Sequence, residues 1–150
     1  MQASQVSRRS VLKQTGALLS GLALSRLATG APAAPDSSPA AAAGTIVIGG
    51  DMTVNRMGFG AMRVTGPGIW GDPADPAEAR RVLQRAVELG VNFIDTADAY
   101  GPAVNESLIA AALRPYPNGL VIATKGGIVR PSQEQWERDG RPEHLRAACD

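Results

Sequence analysis

Three side chains in this sequence are spaced to move a proton. Asp95 ends the apolar run VNFID (91–95), and Tyr100 follows five residues later in FIDTADAYG. Lys125 ends a second apolar run, LVIATK (120–125), thirty positions after Asp95. A phenol ionises at about pH 10, too high for an efficient proton donor at neutral pH. A nearby ammonium favours the phenolate and lowers that value. A carboxylate paired with the lysine keeps the ammonium charged and fixed. Together the three would make a tuned acid aimed at a developing alkoxide. Plainer uses are open as well: a strand-end aspartate often caps a helix or holds a loop, and a lysine after a strand is often solvated.

For these groups to meet, VNFID and LVIATK must be neighbouring strands running in the same direction, about 4.8 Å apart. Both are apolar nearly throughout, as expected of parallel strands covered on both faces. Between them Asn105 can cap a helix over ESLIAAAL, and RPYPNG turns the chain back. Before them a helix starts with Asp75 as cap, Pro76 in the first helical position and Glu78 completing a capping box. Ala79, Leu83, Ala86 and Val87 form its apolar face, and Gly90 stops it. Further upstream, TIVIGGDMTV (45–54) reads as a β-hairpin, and MGFGAM (57–62) as a short strand entering the loop RVTGPGIWGDPADP. After Lys125 come a polar loop, GGIVRPSQEQWERDGR, and a helix opened by Pro142. Alternating β and α units predict an α/β fold with a parallel sheet, either doubly wound or a (β/α)8 barrel. Gly58-Phe59-Gly60 lacks the third glycine of a dinucleotide fingerprint, and there is no P-loop.

The chain has 150 residues, 44% hydrophobic and 19% charged, which suits one globular domain. Its net charge of +1 is unevenly spread. Arg8, Arg9, Lys13 and Arg26 precede every acidic residue, and from Ala34 onward 11 basic face 14 acidic residues. That balance leaves no basic stripe for nucleic acid. One cysteine, Cys149, excludes an internal disulfide, and no cysteine or histidine pattern suggests a metal site.

Residues 1–33 read as an export leader rather than fold. SRRSVLK (7–13) precedes the short apolar segment ALLSGLALS, far below the roughly 20 residues of a membrane span, and Ala31-Pro32-Ala33 suits cleavage. The paired arginines resemble a twin-arginine (Tat) signal, with Val11 where phenylalanine is usual. That resemblance implies the Tat machinery as a partner and a periplasmic or otherwise exported location. Residues 34–44, rich in Ala, Pro and Ser, read as a linker.

FIDTADAYG, NESLIAAAL and LVIATKGG together resemble the aldo-keto reductase superfamily, as do the hairpin and the GFGAM turn. The resemblance covers residues 45–150 and implies a (β/α)8 TIM barrel, of which the hairpin and about three β/α units are present. It implies that Tyr100 is the general acid, tuned by Asp95 and Lys125, and that Gly60, Ala61, Met62 and Asp95 lie against the cofactor. The family's reaction is hydride transfer from NADPH to a small aldehyde or ketone. Its fourth catalytic residue, a histidine after the fourth barrel strand, has no counterpart here. His144 reads as a solvated or locally bonded helix residue. About 106 residues follow the leader and linker, whereas a barrel takes roughly 200 or more. The expectation is therefore the N-terminal part of a reductase, inactive by itself. The alternatives are a non-catalytic nicotinamide-binding barrel and a non-functional product. Trp70 and Trp136 are loop residues with a conceivable place at a substrate pocket, and Cys149 is expected to be buried in a complete barrel.

Overall fold

A computed structural model describes residues 37–149; the leader, residues 1–33, lies outside them. Two strands, β1 (Thr45–Ile48) and β2 (Met52–Asn55), form the expected antiparallel hairpin, with Ile48 opposite Met52. Gly49 and Gly50, both at positive φ, make the turn that other residues would strain to adopt.

A three-stranded parallel sheet follows, made of β3 (Phe59–Gly60), β4 (Phe93–Asp95) and β5 (Val121–Ala123), with β4 in the centre. The two apolar runs that carry Asp95 and Lys125 are thus neighbours and parallel. MGFGAM is only briefly strand: after Gly60 the chain tightens into a 3-10 turn over Ala61–Val64.

Helix α1 (Pro76–Glu88) connects β3 to β4. Asp75 Oδ1 accepts from the amides of Ala77 and Glu78, satisfying two donors the helix cannot. The capping box is only half realised, because Glu78 turns outward to pair with Arg81. At the other end Gly90 adopts φ 90°. The Gly90 amide donates to Val87 and that of Val91 to Ala86, the two bonds of a Schellman stop. Helix α2 (Val104–Leu113) connects β4 to β5.

Leu83 from α1, Ile94 from β4 and Leu108, Ile109 and Leu113 from α2 form the main core with Ala61. Each fully buried aliphatic side chain contributes about 1.5–3 kcal/mol. The hairpin is fastened at the N-terminal ends of the strands. Asn55 takes its amide to Asn92 Oδ1 at 2.7 Å and donates Nδ2 to the Gly90 carbonyl at 2.7 Å. The end of the stretch read as a linker is packed there too: Ala40 is buried with Ala86 and Val91, and its amide donates to Leu89.

The loop after Lys125 contains an unexpected antiparallel pair, β6 (Ile128–Val129) with β7 (Glu137–Arg138). Two residues a strand are too short to show any period in the sequence. Helix α3 (Pro142–Cys149) follows. Among the described residues, no helix is long and apolar enough to cross a membrane.

Candidate active site

The register brings the chemistry together. Asp95 lies opposite Gly60 on one side and Ala123 on the other. The ladder continues past the strands, with the Thr96 amide on the Ala123 carbonyl at 2.8 Å and that of Asp98 on Lys125 at 3.3 Å. Lys125 therefore leaves its strand beside the residues that follow Asp95. Its Nζ donates to Asp95 Oδ1 at 2.7 Å and to the Thr96 carbonyl at 2.8 Å. The same ammonium sits 5.1 Å from the centre of the Tyr100 ring. Burial is the largest single influence on Lys125 and pulls it down, but Asp95 and then Tyr100 outweigh it, and the lysine is held above its ordinary value. Asp95 and Lys125 remain about half exposed, so solvent and ligand reach both.

Tyr100 owes its position to the loop between β4 and α2. Thr96, Ala97, Ala99 and Gly101 are buried, which pins the backbone on both sides of the tyrosine. Gly101 has φ 81°, and a Cβ there would stand 2.7 Å from that of Val104. Only glycine fits both the conformation and the space.

Asn105 is not the cap of α2. The residue before the helix is Ala103, left-handed at φ 62°, and Asn105 lies inside the first turn, fully buried. Its Oδ1 accepts from Thr96 Oγ1 at 2.6 Å, and its Nδ2 donates to the Ala61 carbonyl at 2.7 Å. One side chain thus ties the turn after β3 to the residue next to Asp95.

That turn contains the positions expected against a cofactor. Gly60 is exposed, and a Cβ built on it would meet nothing within 4 Å, so a notch lies open beside Asp95. Ala61 is buried with its carbonyl taken by Asn105, and the Met62 carbonyl is taken by Thr65 Oγ1 at 3.1 Å. Neither carbonyl is free to serve a ligand as its main acceptor.

Arg130 is the functional candidate that sequence reasoning passed over. It is buried between Trp136, 3.6 Å from ring centre to guanidinium carbon, and Trp70 at 5.3 Å. The signal available was slight: an arginine directly after the apolar pair Ile128-Val129, in a chain with only two tryptophans. His144 takes no part in the lysine–carboxylate pair; it is partly buried, with Nε2 3.9 Å from Asp98 Oδ2. Cys149 is exposed in this chain. Among the described residues no group of three or more His, Cys, Asp or Glu is arranged to hold a metal. A groove of about 550 Å³ lies away from the chemistry, lined by Met57, Phe59, Val82 and Leu89 between β3 and α1.

Comparison with known proteins shows the family. Over 114 residues the chain is 55% identical to an uncharacterized oxidoreductase of Schizosaccharomyces pombe, covering 76% of this chain and 37% of that protein. It is 46% identical over 99 residues to pyridoxine 4-dehydrogenase of Escherichia coli, covering 66% and 35% respectively. Among solved structures it resembles a glycerol dehydrogenase of Gluconobacter oxydans, with a TM-score of 0.58 at 33% identity over 71% of this chain and 33% of that one. It also resembles the holo form of an aldo-keto reductase from Bacillus halodurans, with a TM-score of 0.57 at 29% identity over 69% and 33%. The chain spans about a third of the length of these relatives. The solved relatives are (β/α)8 barrels, and the three parallel strands described above lie in a chain that resembles part of them. The model of the aldo/keto reductase family matches residues 56–150, the stretch that holds Asp95, Tyr100 and Lys125, and the chain belongs to that family.

Proposed function

We propose that this chain carries the proton-donating end of a nicotinamide-dependent carbonyl reductase, with NADPH as cofactor and a small aldehyde or ketone as substrate. The observation that carries the reading is the Lys125 ammonium, bonded to Asp95 at 2.7 Å and standing beside the Tyr100 ring. The names of two relatives, pyridoxine 4-dehydrogenase and glycerol dehydrogenase, support alcohol–carbonyl chemistry. The intact trio favours catalysis over a purely binding role.

The residues fit a nicotinamide. Gly60 leaves room beside Asp95, and the Asp95 carboxylate is half exposed and can accept a further hydrogen bond. When bound, the reduced ring supplies a hydride to the carbonyl carbon. Tyr100 gives its phenolic proton to the carbonyl oxygen as negative charge develops there. Lys125 stabilises the phenolate left behind, and Asp95 holds the ammonium in place. A proton from solvent restores the phenol.

Because the chain spans about a third of its relatives and is expected to be inactive by itself, the test uses a whole barrel that carries this segment: it and its Tyr100→Phe variant are titrated with NADPH and NADH, and loss of reduced-nicotinamide absorbance is followed with small aldehydes. Expected are binding by both proteins, NADPH preferred, and turnover only by the parent. No nucleotide binding by the parent, or equal turnover by the variant, overturns the reading.

We also propose that residues 1–33 direct export, on the strength of SRRSVLK and the short apolar segment behind it. Changing Arg8 and Arg9 together to lysine is expected to keep a fused reporter inside the cell; undiminished export overturns this.

A further inference from the structure

Arg130 uses every donor it has. A guanidinium carries five N–H groups in a rigid fork. Nε donates to the Gln135 carbonyl at 3.1 Å. Nη1 donates to Ile69 at 3.0 Å and Ala99 at 3.4 Å. Nη2 donates to Gly68 at 3.3 Å and Gln133 at 2.6 Å. All five acceptors are backbone carbonyls, and no carboxylate pairs with Arg130 among the described residues. They come from three separate loops: the one after β3, the one carrying Tyr100, and the one between β6 and β7. Trp136 and Trp70 cover the guanidinium.

The connection to Tyr100 is direct. Ala99, on one side of the tyrosine, gives its carbonyl to Arg130 Nη1. Gly101, on the other side, donates its amide to the Ile69 carbonyl at 3.2 Å, the same oxygen that accepts from Nη1. The backbone on both flanks of Tyr100 therefore hangs from one node. Ile69 itself stands at φ 59°, a conformation a branched residue adopts only when its surroundings impose it.

We propose that Arg130 is a positioning residue for Tyr100: it clamps three loops into one rim and so fixes where the phenol points. This rests on the proton-donor reading of Tyr100, and its test is arranged so that the two can fail separately.

The test compares the protein with Arg130→Lys and Arg130→Met. Lysine keeps the charge and most of the stem but loses the fork; should the methionine variant fail to fold, the lysine variant carries the test. Both tryptophans of the chain flank Arg130, so intrinsic fluorescence reports on the clamp alone. Expected in Arg130→Lys are a red-shifted emission and about tenfold faster amide exchange across residues 98–104, with helix α1 unchanged. In a whole barrel that carries this segment, Arg130→Lys is also expected to lower kcat ten- to hundredfold, the scale of a misplaced catalytic group, with KM for the nucleotide unchanged. Unchanged emission and exchange overturn the clamp. Loosened loops with undiminished kcat overturn its role in positioning Tyr100. If the parent protein shows no turnover, the proton-donor reading has failed, and the exchange at residues 98–104 still decides whether Arg130 holds that segment.

Discussion

Lys125 Nζ and Asp95 Oδ1 meet at 2.7 Å across the ends of two adjacent parallel strands. With both groups about half exposed, this pair adds little to stability. Its use is geometric: it fixes a positive charge beside the Tyr100 ring. The same pair sets the pH behaviour expected of the fold.

Lys125 binds its proton more tightly folded than unfolded, because Asp95 and Tyr100 together outweigh the burial that opposes them. The stability this supplies is complete below the unfolded lysine value of about 10.4 and is lost as pH rises through the higher folded value. Asp95→Asn removes much of it. The melting temperature of the parent should exceed that of Asp95→Asn at about pH 8, and the gap should begin to narrow as pH rises past about 10.4. A gap constant across that range would contradict the assignment.

Removing the lysine tests the other partner. In a whole barrel that carries this segment, Lys125→Met should lower kcat of carbonyl reduction by about a hundredfold or more, since general acid catalysis is worth roughly 10²–10⁴ and depends on a stabilised phenolate. Nucleotide affinity should change far less. Steady-state kinetics at neutral pH separate the two effects.

Asn105 predicts a stability effect with a distinctive remedy. Asn105→Ala leaves the Thr96 hydroxyl and the Ala61 carbonyl without their buried partner, at about 1–3 kcal/mol each. Adding Thr96→Val removes one of those orphaned groups. The double variant should therefore be less destabilised than the sum of the single changes, which denaturant unfolding would show.

Gly101→Ala should be costly for its size. It forces a side chain into a positive-φ position and against Val104. Left-handed strain of about 1–2 kcal/mol adds to overpacking of about 1–3 kcal/mol. The loss should appear as a lowered unfolding midpoint together with reduced turnover, because Gly101 adjoins Tyr100.

What the sequence made legible is what depends on neighbours in the chain. The Asp75 cap, Pro76 and the Gly90 stop act within a turn of helix, and all three are found where they were read. The trio was legible for a different reason: a parallel ladder delivers strand-end residues to one face, so Asp95 and Lys125 had to meet once their strands were paired. Asn105 was misread because a polar residue before Glu106 looks like a cap. Its real partner at Ala61 is 44 residues away and is a carbonyl, which any residue would supply. Arg130 was hidden in the same way: its five acceptors are main-chain oxygens, and they leave no mark on residue type. The β6–β7 pair, two residues to a strand, was too short to announce itself.

The fastening of the hairpin through Asn55, Asn92 and Gly90 has a bearing on how the protein can be handled. Ala40 enters the fold at that same end, bonded to Leu89, while Tyr100 and Lys125 stand at the far ends of the strands. Chain direction thus gives the domain a front and a back. Held at its Ala40 end, the domain would turn its reactive rim outward, toward whatever the surrounding medium brings.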